Sequence, residues 1–322
     1  MKLAISMVAA TILSLITPSV GFGADPYPAK AVRMVVPFPA GGPTDVLARL
    51  VSQNLSEAWK QQVVVDNRPG AGANIGAELA AKAPPDGYTL LMTTSVIVVA
   101  PSLYSNLPYN PLRDFAPVVN VASAPAILLV HPSVPANSVS ELIALAKRTP
   151  GKINFASTGS GTPLHLSAEL FKVMAEIDIV HIPYKGSAPA LVDLIGGQVS
   201  MMFDSTVSGI RHAKSGALRA LGVSSSRRLA VAPNLPAIAE TVPGYEASFW
   251  YGMFAPAGTP PAIVTKINAD VLRVLGAPDV RDRIESQGAE PIGNSVEQFA
   301  AQMRSDVPKW AKVVKLSGAK VE

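Results

Sequence analysis

Cysteine is missing from all 322 residues, which excludes disulfides, thiol chemistry and a lipid-bearing cysteine at a mature N-terminus. Charge is scarce as well. Only 16% of residues are Asp, Glu, Lys or Arg, with 27 Lys+Arg against 23 Asp+Glu for a formal net charge of +4. These charges are scattered, without a basic run or an aromatic-interleaved patch, so nucleic-acid binding has no footprint here. Four histidines are present: His131, His165, His181 and His212. No two are three or four residues apart, which removes the paired spacing that helical metal sites use. The GxSxG elbow of α/β hydrolases is absent too.

What remains is an apolar, foldable chain. Hydrophobic residues make up 48% of it, and the length is enough for two ordinary domains with real cores. Residues 1–23 carry the pattern of a secretory signal, with Lys2 at a short positive start and a mostly apolar run over 3–16. Pro18 breaks that run, and Gly21 and Gly23 sit at the −3 and −1 positions. The apolar run is too short and too interrupted by Ser6, Thr11, Ser14 and Pro18 for a membrane anchor. Removing it takes Lys2 away and leaves 26 positive against 23 negative residues, a mature charge of +3. No later stretch resembles a transmembrane helix, so the mature protein is expected to be exported and soluble.

From residue 31 onward, strand-like and helix-like segments alternate, the signature of an α/β protein with parallel sheets. Strands are expected at 34–36, 62–66, 88–92, 127–130, 153–156, 177–182, 199–203 and 217–223. Helices are expected over the apolar pattern from Val46 to Leu55, and at 74–82, 163–175 and 188–195. Ser138-Val-Ser-Glu141 and Ser295-Val-Glu-Gln298 read as capping boxes opening two more helices, the second running through Trp310. Thr259-Pro260 reads as an N-cap followed by proline at the first helical position of a helix reaching about Leu275. Two extended stretches, 115–125 and 245–256, separate blocks that each hold their own strands and helices. Two crossings place the N- and C-terminal segments in one lobe: 24–122 with 247–322, against 123–246. A cleft between lobes is then the expected ligand site.

The most informative stretch is Val35-Val-Pro-Phe-Pro-Ala-Gly-Gly-Pro-Thr-Asp45. An apolar strand runs into a Pro/Gly turn and then into a helical pattern of Val46, Leu47, Leu50, Val51 and Leu55. Gly41 and Gly42 allow close backbone approach, and a helix start offers unpaired N–H groups and a positive dipole end. Such a turn holds a carboxylate or phosphate without any Arg or Lys; it also serves as an ordinary strand-to-helix turn. Ser157-Thr-Gly-Ser-Gly-Thr162 is a second turn of this kind, and Thr162 there doubles as an N-cap ahead of Pro163. The two loops fall in different lobes, which strengthens the ligand reading for both.

Other motifs carry less. Gly70, Gly72 and Gly76 form GxGxxxG, one residue off the dinucleotide fingerprint and without its ribose-binding acid, so a structural turn near the cleft is the better reading. His165 lies in the first turn behind the second loop, where it faces the cleft or braces the loop. Asp45 either receives a ligand donor or simply complements the helix dipole. Asp204 ends an apolar strand, a common ligand-contact position in parallel sheets. Lys185, in Tyr184-Lys-Gly186, supplies charge or sits in solvent.

Taken in order, these motifs resemble the Bug family, the extracytoplasmic solute receptors of tripartite tricarboxylate transporters (TctC type). The likeness runs from about Tyr27 to the C-terminus. It rests on Pro37-Phe-Pro-Ala-Gly-Gly-Pro-Thr-Asp45, Asn67-Arg-Pro-Gly-Ala-Gly72, Asp86-Gly-Tyr-Thr-Leu90 and the Gly159-Ser-Gly161 loop ahead of His165. Pro183-Tyr-Lys-Gly186, Ile195-Gly-Gly197, Trp250-Tyr-Gly252 and Ala255-Pro-Ala-Gly-Thr-Pro260 complete the set. The resemblance implies an α/β, periplasmic-binding-protein-like fold of type II, with two lobes, a ligand cleft and two crossover strands. It also implies a monomeric receptor without cofactor or metal that captures a small carboxylate: a di- or tricarboxylate, an amino acid or an aromatic acid. Its partners would be the membrane components of a tripartite transporter, or a sensor kinase. By motif match, Phe38, Ala40, Gly41, Gly42, Asp45, Ser157, Thr158, Gly161 and Thr162 line the site, with Thr94, Ser95 and Asp204 added. Two departures stand out: Leu235-Pro-Ala237 replaces the usual Pro-Thr, and Ser205-Thr206 follows Asp204 where Asn is common, which leaves the ligand open. The rival reading is an exported serine hydrolase using Ser160 and His165, which lacks an elbow motif and an acid partner.

Overall fold

The computed structural model describes residues 27–319 and residue 321; the expected signal at 1–23 lies outside the described residues. Among the described residues, ten strands share one continuous sheet. In chain order they are β1 (Val32–Val36), β2 (Val63–Asn67), β3 (Thr89–Thr94), β4 (Phe115–Val130) and β5 (Asn154–Ser157), then β6 (Val180–Pro183), β7 (Met201–Ser205), β8 (Arg219–Val223), β9 (Ser248–Pro256) and β10 (Glu290–Pro291). The helices are α1 (Pro43–Trp59), α2 (Asn74–Ala81), α3 (Val96–Val99), α4 (Val139–Arg148) and α5 (Pro163–Ala175), followed by α6 (Ser187–Ile195), α7 (Thr206–Lys214), α8 (Pro261–Gly276), α9 (Pro278–Glu285) and α10 (Val296–Ser317). Among the described residues no helix is long and apolar enough to cross a membrane.

The parallel arrangement expected from the alternation holds only at the two ends of the sheet. β2, β1 and β3 are parallel at one end, as are β6, β5 and β7 at the other. Between them, β9 pairs antiparallel with both β3 and β4, and β4 with β7 and β8. The cause is β4. It spans 16 residues, pairing with β9 through Pro125 and with β7 from Ala126, so one strand serves both halves of the sheet. Its two prolines fall where a ladder can spare an N–H. Pro117 lies at a register irregularity, and Pro125 is the last residue paired with β9. The segment read as an extended connection at 115–125 and the strand read at 127–130 are therefore one element.

The return crossing is made by hydrogen bonds around Ser224. Its amide donates to the Ala126 carbonyl at 2.8 Å, its hydroxyl donates to the Ala247 carbonyl, and the Ala247 amide donates to the Ser224 carbonyl at 2.9 Å. Two buried tryptophans then tie elements together, Trp59 joining α1 to α8 and Trp250 joining β9 to α10. Trp59 Nε1 donates to Asp270 Oδ2 and Trp250 Nε1 to Asp306 Oδ2, each at 2.7 Å. Both indole donors are thus satisfied inside the core, as burial of that group requires.

Helix ends follow local chemistry closely. Ser295 and Gln298 form the expected capping box. At Ser138 only half of one forms, because the Glu141 carboxylate accepts from the Asn137 amide instead. Thr259 does not cap α8. Its hydroxyl donates to the Pro256 carbonyl, so Pro260 becomes the N-cap and Pro261 the first helical residue.

Candidate functional site

Three helices begin at one cavity. α1 opens behind Gly42 and Pro43, α5 behind Thr162 and Pro163, and α6 behind Gly186, and the first residues of all three reach the same space. Phe38, Thr94, Thr158, Phe249 and Tyr251 complete the wall. Among the described residues, no Arg, Lys, Asp or Glu lines it.

The helix starts are arranged to leave donors open. Gly42, the N-cap of α1, has no side chain to cap with, and Pro43 has no N–H, so the Thr44 and Asp45 amides face outward from the first turn. Gly186 leaves the start of α6 uncapped in the same way. In α5, Thr162 accepts from the His165 amide at 3.4 Å, and Leu164 keeps the open first-turn amide beside Pro163. Three positive dipole ends thus converge where no side-chain cation competes.

The two glycine-bearing loops read from the sequence do meet, through Gly42 on one side and Thr158 and Thr162 on the other. A third loop joins them across the gap. A Cβ on Gly186 would sit 2.4 Å from Pro39 Cδ, and Gly186 has φ of +145°, so only glycine allows this approach in this conformation. At the mouth, the 70–73 turn faces Gly159 and Ser160, and a Cβ on Gly72 would lie 2.9 Å from the Ser160 carbonyl oxygen. That turn forms part of an outer, more open cavity lined also by Tyr104, Tyr184 and Lys185, and it shares Phe38 and Thr158 with the inner one.

Of the residues expected at the site, Phe38, Gly42, Thr94, Thr158 and Thr162 line the inner cavity. The others lie around it. Ala40 and Gly41 are exposed on the turn. Asp45 accepts from the Gly41 amide and from Arg49 Nε at 2.9 Å each, and from Asn67 Nδ2 at 3.0 Å. Burial pushes its carboxyl up, but these partners outweigh it and the pKa is lowered. Asp45 therefore clamps the first loop onto β2. Ser157, fully buried, bonds His181 Nε2 at 2.6 Å and accepts from the Gly159 amide at 3.2 Å. Ser95 is also fully buried; its amide donates to the Trp250 carbonyl at 3.0 Å and its hydroxyl has no protein partner.

His165 braces the second loop. Its Nδ1 accepts from the Gly161 amide at 3.1 Å, and its ring stacks on His181 with centroids 4.0 Å apart. Burial lowers its pKa to about 3 and that of His181 to about 4, so both rings are neutral. With Nδ1 taken and Nε2 turned toward Glu169 at 3.7 Å, His165 offers no base to Ser160. Ser160 itself belongs to the outer cavity. The nucleophile–base contact that a serine hydrolase requires is not made.

Asp204 is fully buried at the end of β7 and stands behind the wall, bonded to Ser187 and Ser208. Ser187, Pro163, Leu164, Phe249 and Tyr251 line the cavity without having been anticipated from sequence. The signal for Ser187 was present: Gly186-Ser-Ala-Pro follows strand β6 much as Gly42-Pro-Thr follows β1. Phe249 and Tyr251 carry no such signal, since only the sheet's return crossing brings them there.

Comparison with known proteins places this architecture. Residues 47–319 match the family model described as tripartite tricarboxylate transporter family receptor. The protein BugT of Bordetella pertussis is 40% identical over 302 residues, covering 93% of each chain. A protein of R. palustris solved with adipate superposes with a TM-score of 0.90 at 39% identity, covering 92% of this chain and all of that one. MatC from Rhodopseudomonas palustris, solved with bound malate, gives a TM-score of 0.85 at 33% identity, covering 89% of this chain and 100% of its own.

Proposed function

The chain belongs to the family of tripartite tricarboxylate transporter receptors, the Bug or TctC type, and from that premise we propose that it captures a small carboxylate outside the cytoplasm. It is a solute-binding receptor and not an enzyme, as its family and its periplasmic structural relatives are.

The observation that carries the ligand class is the convergence of three helix N-termini on a cavity without a charged wall. Open amides and dipole ends favour a carboxylate without the desolvation cost of a buried cation. The relatives solved with adipate and malate support this choice of ligand. In this reading the two halves of the sheet act as lobes, 24–122 with 247–322 and 123–246. The ligand-binding set is the one expected above (Phe38, Ala40, Gly41, Gly42, Asp45, Thr94, Ser95, Ser157, Thr158, Gly161, Thr162 and Asp204), in which Asp45, Ser157 and Asp204 serve by holding the loops. Ligand between the lobes favours the closed arrangement by its differential affinity, and the membrane components of a tripartite transporter recognise that form of the monomer in the periplasm. A sensor kinase reading the same closed form is the variant.

A thermal-shift screen of the mature protein against organic acids and amino acids tests this. Bound ligand stabilises by RT ln(1 + [L]/Kd), roughly 2.7 kcal/mol at a hundredfold excess over Kd, and mass spectrometry should recover it unchanged. Turnover of the ligand, or silence across every carboxylate, would overturn the receptor. Ser160→Ala should keep binding within about tenfold, one neutral hydrogen bond being worth about 1 kcal/mol.

A further inference from the structure

Ser187 is held in a way that decides what it offers to a ligand. It is 2% exposed and lines the inner cavity at the start of α6, opposite Gly42, whose added Cβ would lie 3.9 Å from the serine Cβ. Its Oγ donates to Asp204 Oδ1 at 2.5 Å. Ser208 Oγ donates to the other oxygen, Oδ2, at 2.6 Å. Asp204 itself is 0% exposed and stays behind the wall.

Donor and acceptor accounting then follows. An ionised carboxylate has no hydrogen to give, and a serine hydroxyl has one. Both serines therefore give theirs to Asp204. The competing partner for Ser187, the Ser208 oxygen at 3.4 Å, is too far away to change this. Ser187 is left with lone pairs alone to turn toward the cavity. Thr94 is its opposite: Oγ1 accepts from the Val96 amide at 3.3 Å and keeps its hydrogen for the ligand. Burial pushes Asp204 up to about 6, with the two serine hydroxyls and the Ser205 amide opposing, which leaves it ionised above neutral pH.

Building on the carboxylate-receptor reading, we infer that Ser187, oriented by Asp204, selects carboxylates bearing a hydroxyl or ammonium donor over their unsubstituted counterparts. Ser187 makes the contact. Asp204 is a positioning residue that fixes the direction of the serine's hydrogen bond. A ligand lacking the donor leaves buried lone pairs unpaired, and that loss is the discrimination.

Matched pairs read this directly by titration calorimetry at pH 7.5: malate with succinate, glutamate with glutarate, mandelate with phenylacetate. The substituted member of the pair that fits should bind about 3–12-fold tighter, the worth of one net hydrogen bond. Ser187→Ala should bring the ratio close to one. Asp204→Asn should also shrink it, because the amide presents either a donor or an acceptor and lets the serine turn to suit the ligand. A purely structural lesion would weaken both members alike and preserve their ratio, so the ratio separates positioning from misfolding. Equal affinities in the wild type, a preference for the unsubstituted member, or a ratio that survives Ser187→Ala would overturn the inference. Failure of every carboxylate to bind is a different result, which overturns the receptor reading on which this one stands.

Discussion

Gly186→Ala should uncouple closure from folding. The added Cβ falls 2.4 Å from Pro39 Cδ and 2.9 Å from Pro39 Cγ, against an ordinary carbon–carbon contact of about 3.5–4.0 Å. Pro39 is a rigid ring, so neither side can rotate away, and the two loops must separate by more than an ångström. Two costs arise and they differ in where they act. Alanine at φ of +145° strains the backbone by about 1–3 kcal/mol whether or not the loops are in contact, and that cost appears in unfolding. The clash with Pro39 exists only when the 37–42 and 184–187 loops meet. Overpacking of this kind costs about 1–3 kcal/mol, which in a closing receptor is a Kd raised about 5–150-fold. Gly216→Ala is the control. It has φ of +76° with no atom within 4 Å of its added Cβ, so it should lower stability with unchanged affinity. Calorimetric Kd and urea unfolding on both variants separate the two costs. An unchanged Kd in Gly186→Ala would show that the Pro39–Gly186 approach is no part of the bound state, and the closure argument would fall.

Gly42 behaves differently: its φ is −79°, and an added Cβ meets the Pro39 carbonyl oxygen at 3.4 Å and Ser187 Cβ at 3.9 Å. Gly42→Ala should fold with stability within about 1 kcal/mol of wild type, whereas the extra methyls of Gly42→Val enter the cavity and should weaken binding tenfold or more, as calorimetry would read. Asp45→Asn should loosen the first loop by about 1.5–3 kcal/mol in urea unfolding at pH 7, since three hydrogen bonds lose a charged acceptor, with the upper end reduced because Arg49 is largely solvated. The Asp45 carboxyl is depressed in the fold, so its contribution is fully present above an unfolded pKa of about 3.9 and is lost as pH falls below that value. His165 and His181 are lowered to about 3 and about 4, so the unfolded chain binds protons they refuse, and stability should fall as pH drops below about 6.5. His181→Gln should flatten that slope between about pH 6 and 4 by up to about 1.4 kcal/mol per pH unit, and an unchanged slope would refute the assignment.

Sequence periodicity was enough for elements whose pattern is local. Helix α5 was bounded correctly at Pro163 and Ala175 because a hydroxyl N-cap, a first-turn proline and an amphipathic run agree there. The strand expected at 177–182 starts too early, because Ile177 and Ile179 are buried without joining the ladder and β6 begins at Val180. Helices α3, α7 and α9 have no counterpart among the expected segments. α7 starts at Thr206 directly after β7, with Ser205 as both last strand residue and N-cap, so no loop announces it. The antiparallel centre of the sheet was missed for a related reason: Phe115–Val130 contains two prolines, which argue locally against a central strand, and only its division between two sheet partners accommodates them.

The site divides along the same line. Loops that reach the cavity by following directly from a strand into a helix could be found, because strand, glycine and helix start are adjacent in sequence; Phe38, Gly42, Thr158 and Thr162 are of this kind. Phe249 and Tyr251 reach it from far along the chain through the return crossing, and no local pattern distinguishes them from core aromatics. Asp204 joins the two classes. Its place at a strand end suggested contact with a ligand, yet the fold buries it one layer back and puts Ser187 in front. A receptor that grips its ligand's carboxylate with main-chain amides carries little selectivity in those contacts, since every residue has the same N–H. Discrimination among carboxylates must then come from side chains whose hydrogen-bonding direction is fixed from behind. In this cavity the Ser187–Asp204 pair is placed to do that, and changing the residue in the second layer should alter which acid is preferred while the amides continue to hold the carboxylate.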